Sequence, residues 1–515
     1  MKKIKVISIT TLGYIFIAII CSTFIYQAID FALHDFSNYY FGAKFLSEGH
    51  FTPEIYFPHI FNQEIAALGY KNIFVSYAPN TPFLALFFYS FSFLSLASAK
   101  VVFNILSLGL FIYSIRNLFE HYQIKAVYLF LIPLVFLVPL RNNFLFGQVY
   151  LLLFFLLTEG FLAYKNERFL KMGIFWGIAI LLKVFPVLLV GMLLFKKKFK
   201  AIVYLSSACI VLLGFSILIS GFDIWSFYFN TVLPKSGNGE IAGEFVQNYQ
   251  SMFMFLKYVF PTNIATFSTL LFLFKIIILV LSYFVSKQEK SELKLFSFWI
   301  IISLLLSPYG STYTNLLLAF PMLFFARKNN FNFKSIYIII LFLLINSISI
   351  PYFSGFNPPF SFPKLWLLLA LFFILIKEEL QHINWKKSLL FIIPITVLYF
   401  FLIVPEEEIK SPNSISKENI LTYDYTVKNG VLIYTYWTGK GENIKTTDIL
   451  IKSIDTSSVS LINNQIFFKN KQVTFGNDHK LKPSIINGNQ LLYLSDAKKG
   501  IGFYSLYKTP INSNK

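Results

Sequence analysis

The stretch MGIFWGIAILLKVFPVLLVGMLLF, residues 172–195, decides the fold class of this chain. It is apolar apart from Lys183, and a helix needs roughly 17–25 such residues to cross the hydrocarbon core of a membrane. Pro186 interrupts the helical pattern, so the stretch is either one long span or two short ones. The basic sequence KKKFK, residues 196–200, follows directly and marks the cytoplasmic end.

The whole chain has the composition of a polytopic membrane protein. Of its 515 residues, 56% are apolar and only 13% are charged, whereas a soluble domain is roughly 45–50% apolar and about 25% charged. The net charge of +19 is explained by basic cytoplasmic loops, so no nucleic-acid partner is expected. The two cysteines, Cys21 and Cys209, lie in apolar runs and offer neither a disulfide framework nor a metal site.

We predict an all-α membrane region with about twelve or thirteen transmembrane helices. The count depends on whether residues 172–195 form one span or two. A further apolar piece, residues 82–96, is shorter and predicts an interfacial or re-entrant helix. The predicted spans lie near residues 6–28, 98–115, 126–140, 148–164, 172–184, 186–195, 201–221, 264–286, 295–307, 312–326, 335–350, 365–376 and 388–404.

The distribution of Lys and Arg predicts the topology. Seven connecting segments hold 21 of these residues, and the alternate segments hold 6. Because basic loops stay in the cytoplasm, we expect a multi-pass protein of a bacterial-type plasma (inner) membrane with a cytoplasmic N-terminus. The long loops 29–80 and 222–262 then lie on the outer face. The basic segments are 1–5, 116–125, 165–171, 196–200, 287–294, 327–334 and 377–387.

Residues 405–515 differ in character from residues 1–404. Short β-type runs such as VLIYTYW (431–437) and LLYLSD (491–496) alternate with Asn-Gly and Gly-Lys-Gly turns. The sequence therefore predicts two domains, a transmembrane domain of residues 1–404 and a small β-rich domain of residues 405–515. With an odd number of spans the β-rich domain is extracytoplasmic, and an accessory or interaction module is its simplest interpretation.

The first outer loop contains the strongest candidate for a catalytic side chain. Asp35 lies where the first span meets the membrane interface, and residues 36–46 can form an amphipathic helix capped by Asp35 or Ser37. A partly desolvated carboxylate in that position is suited to general-base catalysis. Helix capping alone explains the residue equally simply, so both roles stay open.

Lys183 and Arg141 are the candidate anion-binding side chains. A lysine inside a span costs about 2.5–3.5 kcal/mol on the insertion scale unless it faces a polar cavity or a partner. An anionic head group is one natural partner for Lys183, and an ion pair with Asp35 is the structural alternative. Arg141 precedes Gln148 at an outer turn, where an arginine either joins the anion site or extends to the interface.

Aromatic and amide side chains are concentrated in the outer loops. Aromatic rings stack on the C–H faces of sugars and amides bind hydroxyl groups, although the same residue types also form aromatic belts at membrane interfaces. We predict a substrate site that includes His34, Tyr39, Gln148, Gln247, Asn248 and Tyr313.

Five spaced motifs follow one another along roughly residues 1–330. They are DFSNYYFGAKFLSEG (35–49), YAPNTPFL (77–84), GQ (147–148), GIFWGIAILLKVFP (173–186) and SP (307–308). In this order the motifs resemble those of glycosyltransferase family 87, and the β-rich tail lies outside the likeness.

The resemblance implies a GT-C membrane fold and the activity of a polyprenyl-phosphate-sugar-dependent hexosyltransferase, similar to bacterial mannosyltransferases. It implies that Asp35 is the catalytic base, that a polyprenyl-phosphate-linked hexose is the donor, and that no metal or cofactor is required. The family often has a histidine after Ser-Pro, whereas this chain has SPYGSTYTN (307–315). Tyr313 or Asn315 could provide only hydrogen bonds there.

Two other functions are compatible with the same residues. In a lipid or polysaccharide transporter or flippase, Lys183 and Arg141 would line a translocation path. In a structural membrane protein, the β-rich tail would recruit partners. Under the transferase hypothesis, the partners are the lipid-linked donor, a lipid or glycan acceptor, and the membrane itself.

Overall fold

The structure of the chain is a computed structural model. The residues that it describes are 8–31, 35–70, 73–240, 248–260, 264–328, 333–381, 413–416, 421–438, 441–476, 478–497 and 499–511.

Helices occupy most of the chain before residue 381, in agreement with the predicted fold class. The α-helices are α1 Ile9–Ile29, α2 Asp35–Glu48, α3 Pro58–Ala67, α4 Pro82–Phe87, α5 Leu96–Tyr122, α6 Val127–Val135, α7 Leu137–Phe146, α8 Tyr150–Lys165, α9 Phe169–Leu182, α10 Leu189–Phe195, α11 Phe199–Ser220, α12 Phe222–Phe227, α13 Leu233–Gly237, α14 Met252–Val259, α15 Ile264–Gln288, α16 Glu292–Leu306, α17 Ala319–Lys328, α18 Phe333–Ser347 and α19 Pro363–Leu380. Shorter 3₁₀ or π turns are Pro53–Tyr56, Tyr89–Phe93, Phe185–Leu188, Tyr228–Val232, Thr312–Leu318 and Ile350–Phe353.

Several of these helices identify a multi-pass membrane protein. Among the described residues, 4 helices are long and apolar enough to cross a membrane, and a fifth span results if α6 and α7, bent by 61°, are counted together. The twelve or thirteen predicted spans include shorter apolar helices such as α9 and α10, so that count stays a prediction. The predicted span 388–404 lies outside the described residues.

Residues 172–195 form two helices rather than one. Helix α9 ends at Leu182, and Lys183 has extended backbone angles of φ −146° and ψ 118°. The 3₁₀ turn Phe185–Leu188 follows before α10 begins. Pro186 lacks an N–H and its ring excludes the preceding helical turn, which explains why the helix is interrupted here.

Small residues allow the central helices to approach one another closely. A Cβ atom at Gly160 on α8 would clash with the Cδ1 atom of Trp176 on α9, and one at Gly173 would lie 2.6 Å from the carbonyl oxygen of Tyr204. The indole N–H of Trp176 donates to the carbonyl of Leu157 at 3.3 Å. Glycines at such contacts are typical of helices that associate inside membranes.

The predicted β-rich tail is confirmed as three small sheets. The first has strand order β1-β11-β10-β9-β5, the second β2-β3-β4 and the third β6-β7-β8, and every recorded pairing is antiparallel. The strands are β1 Asn413–Ser414, β2 Leu421–Lys428, β3 Val431–Thr438, β4 Gly441–Leu450, β5 Ile454–Asp455, β6 Val459–Ile462, β7 Gln465–Phe468, β8 Lys471–Gln472, β9 Lys480–Ile486, β10 Gln490–Ser495 and β11 Ser505–Pro510.

The chain divides into two compact units, and neither is continuous in sequence. The helical unit comprises Met1–Phe36, Leu86–Ile219 and Gln247–Val404. The mixed unit comprises Ser37–Ala85, Ser220–Val246 and Pro405–Lys515. The mixed unit therefore combines the β-rich tail with most of the first predicted outer loop and part of the second.

Within the mixed unit, a buried carboxylate joins the tail to the second loop segment, and a ring contact joins it to the first. The Nζ atom of Lys235 lies 2.7 Å from the Oδ1 atom of Asp496, whose side chain is fully buried. Asp496 also accepts backbone hydrogen bonds from His479 at 2.8 Å and Gly502 at 2.9 Å. The ring of His479 packs 4.8 Å from that of Phe57 in the first loop segment.

Replacing Asp496 with alanine should lower the free energy of unfolding of the mixed unit by about 3–5 kcal/mol, because removing one partner leaves a buried cation unpaired. Asp424→Ala is the matched control, since its ion pair with Lys482 is about half exposed and such pairs contribute about 0–1 kcal/mol. Thermal unfolding of the purified full chain measures both changes. Equal losses for the two variants would contradict a structural role for the buried pair.

Candidate active site

Asp35 accepts a short hydrogen bond from the amide of Gln148 in the helical unit. The Nε2 atom of Gln148 lies 2.5 Å from the Oδ2 atom of Asp35, and the bond joins positions 113 residues apart. Asp35 is the first residue of α2. Its backbone therefore begins α2, while its carboxylate is held by the turn before α8.

The turn between α7 and α8 explains how Gln148 reaches Asp35. Gly147 caps α7 with φ +65°, a left-handed conformation that favours glycine, and the backbone N–H of Gln148 donates to the carbonyl of Asn143 at 2.8 Å. A Cβ atom at Gly147 would lie 2.7 Å from the Cβ atom of Phe36. The glycine thus permits the turn to touch the residue that follows Asp35 in sequence.

Lys183 lies in the interruption after α9, and its charge interacts with that of Asp35. Because the helix ends at Leu182, the lysine is not part of a regular helical surface. The following 3₁₀ turn packs on α8, with the ring of Phe185 stacked on that of Tyr150 at 6.4 Å. Lys183 and Asp35 belong to different segments of the sequence, and their charges nevertheless interact in the folded chain.

Two tyrosines, each at the start of a helix or helical turn, also interact with Asp35. Tyr150 and Tyr313 have ring centroids 5.3 Å apart, and both side chains interact electrostatically with Asp35. The amide of Asn143 donates to the carbonyl of Tyr313 at 3.1 Å, which fixes the 3₁₀ turn Thr312–Leu318 against α7.

A third tyrosine comes from the loop before α14. Burial, and then the negative charge of Asp35, raise the pKa of Tyr249 to about 12, so its hydroxyl stays protonated at neutral pH and can donate. Its ring lies 5.6 Å from that of Tyr309. The backbone N–H of Gln250 donates to the carbonyl of Gly310, and a Cβ atom at Gly310 would lie 2.7 Å from the carbonyl carbon of Gln250.

Four of the predicted site residues therefore lie together in the helical unit: Asp35, Gln148, Lys183 and Tyr313. Arg141 is exposed, and its Nε atom donates to the Oε1 atom of Gln27 at 3.1 Å. Asn248 is exposed, while Tyr39 is buried on α2 within the mixed unit. His34 and Gln247 lie outside the described residues.

The two tyrosines that the predicted site omits, Tyr150 and Tyr249, have only a weak signal in the sequence. Tyr150 stands two residues after Gln148, and Tyr249 stands in the amide-rich stretch of the second loop. Tyrosines are common at membrane interfaces, so neither residue type nor spacing separates a site tyrosine from a belt tyrosine.

The arrangement has the parts that proton abstraction from a hydroxyl group requires. A positioned carboxylate can take the proton, and adjacent amide and phenol groups can hold polar substrate atoms. Among the described residues, no group of three or more His, Cys, Asp or Glu side chains could hold a metal ion.

The apolar helices indicate a multi-pass membrane protein, and the polar cluster lies in its helical unit. Residues 78–308 match the model of glycosyltransferase family 87. The match confirms the resemblance to that family and indicates that the chain is a glycosyltransferase. Comparison with curated proteins and with solved structures gave no match.

The family match contains only part of the polar cluster. Gln148, Tyr150, Lys183 and Tyr249 lie within residues 78–308, whereas Asp35 and Tyr313 lie outside that range. The roles of the individual side chains are therefore argued below from their geometry.

Proposed function

We propose that this glycosyltransferase moves a hexose, mannose or a similar sugar, from a polyprenyl-phosphate donor to a lipid or glycan acceptor at the outer face of the membrane. The observation that carries the proposal is the contact of Asp35 with Gln148, in an environment shared with Lys183. A glycosyl acceptor must lose a proton as it attacks, and Asp35 is the positioned carboxylate that can accept it.

The proposed reaction is a single displacement with inversion. The acceptor oxygen forms a bond to the anomeric carbon and its proton passes to Asp35. The bond between that carbon and the phosphate oxygen breaks, and the electron pair leaves with polyprenyl phosphate. Lys183 and Arg141 are proposed to stabilise the negative charge that develops on the phosphate.

Lys183 has a second role that is compatible with the same contacts. A cation beside Asp35 favours the ionised carboxylate and so keeps the base ready to accept a proton. Arg141 is exposed and engaged with Gln27, so its contribution to phosphate binding requires a different side-chain position when donor is bound.

The test is a transfer assay with radiolabelled polyprenyl-phosphate hexose and membranes that contain the full chain. The proposal expects label in a product that depends on both the chain and an added acceptor extract. Movement of labelled lipid between leaflets without any glycosyl product would instead support the transporter hypothesis.

We predict that chelation leaves the transfer rate unchanged. Polyprenyl phosphate can leave without a divalent ion if cationic side chains stabilise its charge, and the loops 29–80 and 222–262 contain no Asp-x-Asp pair. Initial rates should agree within error before and after incubation with excess EDTA. A rate that disappears with EDTA and returns with Mg²⁺ or Mn²⁺ would overturn the metal-independent mechanism.

A further inference from the structure

Three buried lysines of the helical unit have different means of compensating their charge. Lys100 donates to the carbonyl oxygens of Ala28 and Phe31 near the end of α1. Lys294 is paired with glutamates, among them Glu289 at 2.8 Å. Lys364 is also buried, yet its one recorded hydrogen bond among the described residues is to the neutral hydroxyl of Thr312, at 3.0 Å.

Lys364 lies at the N-terminal end of a helix, and the helix dipole there adds to the positive charge of its side chain. It is the second residue of α19, an 18-residue helix whose N-cap, Phe362, provides no side-chain hydrogen bond. The backbone dipole makes this end of a helix positive, so a lysine here is unfavourable for the helix itself. Burying a cation without an opposite charge is also costly, and a residue of this kind in a membrane protein is a candidate for a functional site.

A second buried polar group accompanies the lysine. Ser361, two residues before α19, is 3% exposed, and its hydroxyl has no hydrogen-bond partner within the part of the chain that the structure describes. The carbonyl of Ser361 accepts from the amide of Gln250 at 3.2 Å, which joins this segment to the loop that carries Tyr249.

Lys364 is also connected to the candidate active site through adjacent residues of one turn. Thr312 bonds to Lys364, and the next residue, Tyr313, interacts electrostatically with Asp35. Asp35 interacts in this way with Lys183, and among the described residues no ion pair joins Lys364 to a carboxylate. Lys364 is therefore connected to the site through Thr312 and Tyr313.

We propose that Lys364, with the hydroxyl groups of Thr312 and Ser361 and the N-terminus of α19, binds the phosphate of the lipid-linked sugar donor. This inference rests on the proposed function. An inverting displacement requires the leaving phosphate on the opposite face of the sugar from the base, so a cation that is not paired with Asp35 would add to the stabilisation of that phosphate by Lys183, which lies beside the base. Lys364 would act as a compact charge that also donates hydrogen bonds.

The experiment measures equilibrium binding of radiolabelled polyprenyl phosphate, which contains no sugar, to the purified full chain. Lys364→Gln removes the charge but retains a hydrogen-bond donor toward Thr312, whereas Lys364→Arg retains the charge. We expect Lys364→Gln to weaken binding about 10- to 100-fold, the size typical of lost charge-assisted hydrogen bonds, and Lys364→Arg to stay within a few-fold of wild type.

Lys257→Met is the matched control, because Lys257 lies in the predicted outer loop 222–262 and is partly exposed over the ring of Phe253. It should bind polyprenyl phosphate as wild type does. If Lys364→Gln fails to insert, Lys364→Met is used for the same comparison. Unchanged binding by a correctly folded charge-removing variant would overturn the assignment.

Two further measurements are needed. One distinguishes polyprenyl phosphate from phospholipid head groups as the ligand of Lys364, and the other distinguishes failure of the phosphate site from failure of the proposed function. Unlabelled phosphatidylglycerol in excess should not displace polyprenyl phosphate, and equal displacement would reassign Lys364 to phospholipid head groups. If wild type binds polyprenyl phosphate through Lys364 but transfers no sugar, the phosphate site stands and the proposed function fails. If sugar transfer proceeds with the same donor KM in wild type and in Lys364→Gln, the proposed function stands and the phosphate site fails.

Discussion

Asp35→Asn should reduce sugar transfer by about 10²- to 10⁴-fold, the usual contribution of a positioned general base. Asparagine has nearly the shape of aspartate and can still pair with the amide of Gln148, but it cannot accept the proton of an attacking hydroxyl. The change should therefore appear in kcat, with little change in the KM for the donor. The measurement is the initial rate in membranes that contain equal amounts of each variant.

The control for this substitution is Asp30→Asn. Asp30 follows α1 directly and is exposed, so its replacement removes one carboxylate from the same connecting segment without touching the polar cluster. It should retain the wild-type rate. Full activity of Asp35→Asn would show that the residue is a helix-capping carboxylate rather than the base.

Lys183→Met should cause the second largest loss, and the kinetic form of the loss identifies the role of the lysine. If Lys183 binds the donor phosphate, the donor KM rises about 10- to 100-fold, because a charge-assisted contact is lost. If Lys183 mainly supports the ionised form of Asp35, the acidic limb of the pH–rate profile moves to higher pH. The direction follows because a removed cation no longer favours the carboxylate over the acid.

A suitable control for Lys183→Met is Lys100→Met, which also removes a buried lysine. Lys100 contacts main-chain oxygens rather than Asp35, so its loss should lower thermal stability without moving the donor KM or the acidic limb. If Lys183→Met changes only stability, and leaves both kinetic readouts at the wild-type values, its part in the proposed mechanism is excluded.

The sequence predicted the local features of this protein well, because each depends on neighbouring residues. Long apolar runs set the helices of the membrane region, and β-type runs after Pro405 set the sheets of the tail. Pro186 indicated where residues 172–195 break, and Gly147 indicated a tight turn before Gln148. The division of 172–195 into two helices nevertheless required the structure, since one bent helix fits the same letters.

The roles of the candidate site residues stay predictions, but the structure shows which of these residues lie near one another. Asp35, Gln148, Lys183 and Tyr313 were chosen from separate loops and turns, and they lie together in the helical unit. Arg141 was chosen for its charge at a turn, yet its exposed side chain is bonded to Gln27. Side-chain direction at a helix end depends on tertiary neighbours, which spacing in the sequence does not contain.

The composition, the charge asymmetry and the family motifs determined by themselves that this is a membrane protein resembling glycosyltransferase family 87. Only the tertiary structure decided which distant groups meet, such as Gln148 with Asp35 and Lys235 with Asp496, the latter 261 residues apart. It also decided that Lys364 is buried beside a neutral hydroxyl. Local propensity determines helices and turns, because it depends on a few adjacent residues. The pairings between distant residues arise from the packing of whole elements, since the burial and the charge environment of each group depend on all of its neighbours.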